Sequence, residues 1–259
     1  MEYNYLHIEK QENKVCQVTL NRPEKLNALD LTAWEEIDDF FTAADQDDDI
    51  RVVILKGAGN KAFAAGADAN SLYKKTAALC MTNAGQKALS KIELCSKPVI
   101  AAVNGFAFGG GFELALACDF RIASETVQFA LPETGLGILP GAGGTQRLTR
   151  LVGIGMAKDI ILLGRKIGAW EAVDIGLATY CVPQDQLIDE AEKMAEILLK
   201  KAPLALQVAK RVIQSAASSS IEVGLYTELL ALSALCGTED KKEGISAFLE
   251  NRSPKYVGR

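Results

Sequence analysis

Three short apolar runs stand out along the chain: Val15 to Leu20, Arg51 to Leu55 and Val99 to Val103. The second ends at Gly57 and the third at Asn104-Gly105, so both read as buried strands that stop at turns. After Asp30 the period changes. Leu31, Trp34, Ile37, Phe41 and Ala44 recur every three or four residues, which predicts a helix with one apolar stripe. Thr32 with Glu35 fits a capping box at its start. Strands alternating with helices predict an α/β fold. From about Ile188 only helical spacing remains, over Glu190–Lys201, Pro203–Ala216, Ile221–Leu235 and Glu239–Glu250. Ser218-Ser219-Ser220 reads as a helix–helix turn. The chain thus divides into a core, residues 1–187, and a C-terminal helical region, residues 188–259.

Composition narrows the chemistry. Apolar residues make up 49% of the 259 and charged residues 24%, ordinary values for a globular protein. A net charge of −5 gives no electrostatic reason to expect nucleic acid or an anionic membrane as partner. No apolar stretch approaches the length of a membrane span, and the start carries no recognisable address, so a cytoplasmic protein is expected. Six scattered cysteines, without a Cys-x-x-Cys pair, read as reduced and mostly buried thiols. The single histidine, His7, falls in a predicted N-terminal strand. A histidine-based nucleophilic triad or zinc site is therefore not expected, and the chemistry falls to carboxylates, backbone amides or a bound cofactor.

Two glycine-rich clusters carry candidate glutamates. In Asn104-Gly105-Phe106-Ala107-Phe108-Gly109-Gly110-Gly111-Phe112-Glu113, a strand runs through three glycines into a helix. Bare backbone N–H groups at a helix N-terminus suit an anionic oxygen, and Glu113 follows one turn later. Equally, Glu113 could satisfy the first-turn amides of its own helix. In the second cluster, Glu133 follows Pro132 among apolar neighbours, a setting that raises a carboxyl pKa as a general acid requires. The alternative is a salt bridge to Arg147. Gly141 to Gly144 lacks the lysine of a phosphate loop and reads as structural. Gly57-Ala58-Gly59-Asn60-Lys61-Ala62 is a weak dinucleotide pattern without the following helix and acidic residue.

Taken in order, Phe63-Ala64-Ala65-Gly66-Ala67-Asp68, Val103-Asn104-Gly105 through Glu113, and Pro132-Glu133 through Arg147 resemble the enoyl-CoA hydratase/isomerase (crotonase) family. Asn21-Arg22-Pro23 with Leu26-Asn27-Ala28-Leu29, and Ala169-Trp170-Glu171-Ala172 to Gly176-Leu177, are similar to further motifs of that family. The resemblance covers nearly the whole chain. It implies a core of repeated ββα units and trimers stacked as hexamers through the C-terminal helices. It assigns an oxyanion hole to the N–H groups of Ala67 and Gly110, and water and proton handling to Glu113 and Glu133. It places acyl-CoA near Lys25, Leu26, Ala65 and Asp68, with Phe248 reaching the site of a neighbouring subunit. No metal and no separate cofactor is implied, CoA being part of the substrate.

Having both glutamates favours hydration of a 2-enoyl-CoA over the 3-enoyl to 2-enoyl isomerisation that one carboxylate supports. The chain departs from the family pattern at Ala130-Leu131, where Gly-Gln is usual, and at Phe112, where a small residue is usual. Both put apolar bulk near the expected acyl and water sites. Asn251 stands where a phosphate-contacting lysine often occurs, so that contact is either missing or supplied by Arg252. Two rivals of other classes are an RNA-binding protein using Lys200-Lys201 and Lys210-Arg211, and a non-catalytic scaffold. The overall negative charge opposes the first, and the paired glutamates oppose the second.

Overall fold

The computed structural model describes residues 3–259. Ten strands form two sheets: β1 (Leu6–Lys10), β2 (Val15–Leu20), β3 (Val52–Gly57), β4 (Ala62–Ala64), β5 (Val99–Val103), β6 (Phe106–Phe108), β7 (Phe120–Ser124), β8 (Gln128–Ala130), β9 (Ile167–Gly168) and β10 (Tyr180–Val182). The larger sheet runs β1-β2-β3-β5-β7-β10, parallel except for the edge strand β1. The smaller runs β4-β6-β8-β9, with β4, β6 and β8 parallel.

The helices are α1 (Leu31–Asp45), α2 (Ala69–Lys74), α3 (Ala77–Thr82), α4 (Ala84–Leu94), α5 (Gly110–Ala117), α6 (Gly144–Leu162), α7 (Ala169–Asp174), α8 (Leu187–Leu199), α9 (Pro203–Ser215), α10 (Ile221–Cys236) and α11 (Glu239–Leu249). Three consecutive strand pairs, β3–β4, β5–β6 and β7–β8, repeat one motif. The first strand of each joins the large sheet, the second joins the small sheet, and a helix follows. These are the ββα units, stacked by parallel pairing.

Both faces of the large sheet are covered, so its central strands are apolar on both sides. Along β3 the side chains alternate: Val53 and Leu55 join the main core with α1, α4 and α5, while Val52 and Ile54 face α8. From α8, Leu187, Ala191, Met194, Ala195 and Leu198 close that second face. Of the stripe expected on α1, Trp34, Ile37, Phe41 and Ala44 are buried while Leu31 is exposed, and the helix start differs too. Asp30, not Thr32, is the N-cap, accepting from the Ala33 N–H, and Thr32 is exposed. Asp30 also pairs with the buried Arg22 at 2.7 Å, and that second bond explains why it wins the cap.

The N-terminal motif is a staple. Asn27 sits at φ +55 and its Nδ2 donates to the carbonyls of Ala58 and Ala62. Asn104 does the same for the β3–β4 turn, bonding Gly57 and Gly59. Half of the cysteines, rather than most, are buried: Cys16, Cys95 and Cys118. All six are free thiols. His7 lies in β1, Ser218 to Ser220 join α9 to α10, and Ser220 caps α10.

No single helix among the described residues is long and apolar enough to cross a membrane, although α10 and α11, bent by 76°, pass such a test together. The apolar character lies in α10. It has only two charged residues and none that is buried, and Val223, Leu225, Tyr226, Leu229, Leu230 and Leu232 are all more than half exposed.

Candidate active site

The repeating units build the site. Strands β4, β6 and β8 are parallel neighbours, so their C-terminal ends lie side by side, where α/β folds collect functional groups. Ala67 comes three residues after β4, Gly110 two after β6 and Glu133 three after β8. Three segments distant in sequence therefore meet because they occupy equivalent places in successive units.

Gly109 and Gly110 make the turn from β6 into α5. Gly109 has φ +53, and a Cβ there would sit 2.9 Å from Oε1 of Glu133. The glycine thus provides both a backbone conformation that side chains resist and room for a carboxylate. Gly110 opens α5, so its N–H has no acceptor in the preceding turn. A Cβ on Gly110 would stand 3.8 Å from the Ala67 nitrogen and 3.2 Å from the Trp34 ring. The two candidate oxyanion donors are neighbours, backed by an indole. No hydrogen bond within the chain uses either N–H among the described residues.

Glu113 is 3% exposed. It does not fold back onto its own helix. Its Oε1 accepts from the N–H groups of Ala142 at 2.7 Å and Gly144 at 2.8 Å, where α6 begins. The glycine-rich run Gly141 to Gly144 is thus the cradle of a carboxylate, a role its sequence did not reveal. Burial pushes the Glu113 pKa up, and the Gly144 and Ala142 amides, then Arg147 and Lys75, push it down.

Glu133 lies in a 3-10 turn, Pro132–Leu136, and is 9% exposed. Its Oε2 is buried without a hydrogen-bond partner. Burial pushes its pKa up to about 7, opposed by its own backbone amide, with the charge of Glu113 adding to the rise. Arg147 is not its partner. The guanidinium turns instead to Glu93 on α4, at 2.8 Å, and to the Ala142 carbonyl. The two carboxylates therefore differ in kind: Glu113 is held by two donors, while Glu133 keeps an unsatisfied oxygen.

The expected CoA-site residues fall partly together. Lys25 ends a 3-10 turn, Leu26 is left-handed at φ +53, and the Leu26 carbonyl accepts from the Ala65 N–H at 2.9 Å. Asp68 caps α2 by accepting from the Ser71 N–H, which lowers its pKa. Phe248 sits on α11 with 81% of its surface exposed. Arg252 is engaged within the chain by Glu243 and Glu250, so it does not stand free to replace the usual lysine beside Asn251. Phe112 and Leu131 are fully buried, and Phe112 packs on Phe129 at 5.0 Å. Their extra bulk goes into the core. No cluster of His, Cys, Asp and Glu suited to a metal ion occurs among the described residues.

Residues 10–259 match the family model described as enoyl-CoA hydratase/isomerase. The chain is 43% identical over 254 residues to the short-chain-enoyl-CoA hydratase of Clostridium acetobutylicum, with 97% of each covered. It is 42% identical over 261 residues to the crotonyl-CoA hydratase of Syntrophomonas wolfei, covering 100% of both. The crystal structure of an enoyl-CoA hydratase from Bacillus anthracis matches with a TM-score of 0.95 at 40% identity, covering 99% of this chain and 100% of that one. Agreement over essentially the full length, in sequence and in fold, leads to one conclusion: the chain belongs to the enoyl-CoA hydratase/isomerase family.

Proposed function

We propose that the chain is an enoyl-CoA hydratase, adding water reversibly across the C2–C3 bond of a 2-enoyl-CoA thioester. The observation that carries this reading is the pair of buried, unlike glutamates beside two adjacent backbone donors. In the reading, the thioester oxygen accepts from the N–H groups of Ala67 and Gly110. Water oxygen bonds to C3 while its proton passes to Glu113. Charge grows on the thioester oxygen, where fixed donors favour the enolate-like transition state over the ground state. Glu133 then delivers a proton to C2. Net hydration neither takes up nor releases a proton, so both directions run on the same form of the enzyme, with one proton shared by the pair. The pKa of Glu133, about 7, supports its holding that proton near neutrality.

The CoA moiety is assigned to Lys25, Leu26, Ala65 and Asp68, supported by the bond that joins Leu26 to Ala65. The proposed assembly is a trimer or a hexamer. It would cover the apolar faces of α10 and bring the exposed Phe248 to a neighbouring site. A cytoplasmic location suits the six free thiols.

Glu113→Gln and Glu133→Gln test the reading. Each is expected to lower kcat/KM for hydration by ~10²-fold or more, the usual scale for a positioned acid or base. CoA thioesters should still bind to both variants, and in the parent enzyme hydration and dehydration should lose activity together above pH about 7, where the pair gives up its last proton. Near-parent turnover in either variant would remove that glutamate from the mechanism.

A further inference from the structure

What fixes Glu113 is itself fixed, and the chain of contacts can be followed outward. The Ala142 N–H that binds Glu113 belongs to the peptide whose oxygen is the Gly141 carbonyl. That oxygen accepts from Asn83 Nδ2 at 2.6 Å. The next peptide oxygen, on Ala142, accepts from Arg147 Nη1 at 2.9 Å. Arg147 lies four residues into α6, and its guanidinium folds back so tightly that a Cβ on Gly143 would overlap it, at 2.2 Å from Nη1. Glu93 holds the other side of the guanidinium, with Nη2 at 2.8 Å and Nε at 3.2 Å. The Arg147 side chain is 13% exposed and that of Glu93 40% exposed.

Such a fork needs its planar guanidinium, since one nitrogen binds a carbonyl while two others bind a carboxylate. It also puts a largely buried positive charge beside Glu113. The charged groups that act on Glu113 are Arg147 from α6, Lys75 from the end of α2, and Glu133. Of these, Arg147 alone also holds the segment to which Glu113 is bonded.

We infer that Arg147, braced by Glu93, is a positioning residue for the reaction: it holds the Ala142 peptide so that Glu113 stays aimed and ionised. The inference rests on the assignment of Glu113 as the base of hydration. It extends that assignment to a pair of residues that act on Glu113 through the Ala142 segment.

Arg147→Met removes both fork and charge, and Arg147→Lys keeps the charge without the fork. With a short 2-enoyl-CoA as substrate, Arg147→Met should lower kcat at least about tenfold with KM changed by less than about twofold, the pattern of a lost transition-state interaction. The acid limb of its kcat/KM profile should move up by about half a pH unit or more, because loss of the cation makes Glu113 harder to ionise. Arg147→Lys should restore the limb but not the whole of kcat. Carbon-13 titration of the Glu113 carboxyl, assigned against Glu113→Gln, reads the same shift without substrate. A folded Arg147→Met protein with parent kcat and a parent carboxyl titration would overturn the inference. A parent protein that hydrates no enoyl thioester, but whose Glu113 titration still shifts in Arg147→Met, would instead sink the hydratase reading and leave the positioning role standing.

Discussion

At the scale of single residues, Glu133 shows the tension between function and stability. Its carboxyl ionises at about 7 in the fold, against 4.5 for the free side chain. The folded state therefore binds that proton more tightly than the unfolded chain does. The resulting stability is fully present below about pH 4.5 and is lost as pH rises through about 7. Above that, a buried anion with an unpartnered Oε2 burdens the fold. Glu133→Gln should accordingly melt close to the parent at pH 5 and clearly above it at pH 8. A melting difference that stayed flat with pH would mean that Glu133 is not the strained group described here. Both glutamates stood out as candidates in the sequence, each in a distinctive run of glycines or beside a proline, and the family resemblance supplied their proposed roles. Their partners did not stand out. Ala142 and Gly144 lie 29 and 31 residues beyond Glu113, and no local pattern reports a bond across that distance. The Glu93–Arg147 pair was hidden for the same reason, since Arg147 had a nearer candidate in Glu133.

At the scale of elements, periodicity located β2, β3 and β5 of the large sheet, the helix α1 and the C-terminal helices α8 to α11, but not α4 or α6. Cap identity was missed where a tertiary contact decided it. Asp30 is chosen over Thr32 because one carboxylate serves two donors, the Ala33 N–H and the Arg22 guanidinium. Asp30→Ala removes both. A lost cap costs about 1 kcal/mol, and leaving Arg22 buried without its carboxylate adds to it, so a total of roughly 2–4 kcal/mol is expected. Asp30→Asn keeps an acceptor for the cap and should fall between. Urea unfolding curves of the three proteins test the order, and equal losses in the two variants would show that capping contributes nothing. The effect should reach the site as well, because α1 carries Trp34, the ring that backs Gly110. The short strands β4, β6 and β8 were less legible. At three residues each they carry too few side chains for alternation to register, yet they align the site.

At the scale of the whole molecule, α10 poses a problem that the single chain does not solve. A helix apolar on every face ordinarily belongs inside a core. Here its leucines meet water, far beyond the scattered exposure normal for a surface. Light scattering of the parent protein at micromolar concentration should give three or six chains. Leu229→Glu with Leu232→Glu should lower that mass and, if Phe248 completes a neighbour's site, weaken acyl-CoA binding in step. A parent mass of one chain would refute the assembly, and lower mass with unchanged binding would refute the shared site. The change of character near residue 188 pointed to this region, but a helical stripe does not say what will cover it. Covered by α8, the second face of the large sheet is complete without α10.

The backbone N–H groups of Ala142 and Gly144, which hold Glu113, and those of Ala67 and Gly110, proposed as oxyanion donors, have a consequence for heredity. A side-chain catalyst is lost with almost any codon change, whereas every amino acid but proline carries the main-chain donor. Selection on these four positions therefore acts on shape alone. Gly110 is confined by the Trp34 ring, and Gly144 by Glu113 itself, whose Cγ and Oε1 would stand 3.0 Å from an added Cβ. The polar framework can thus pass intact through lineages whose carboxylates, and with them their reactions, have been exchanged.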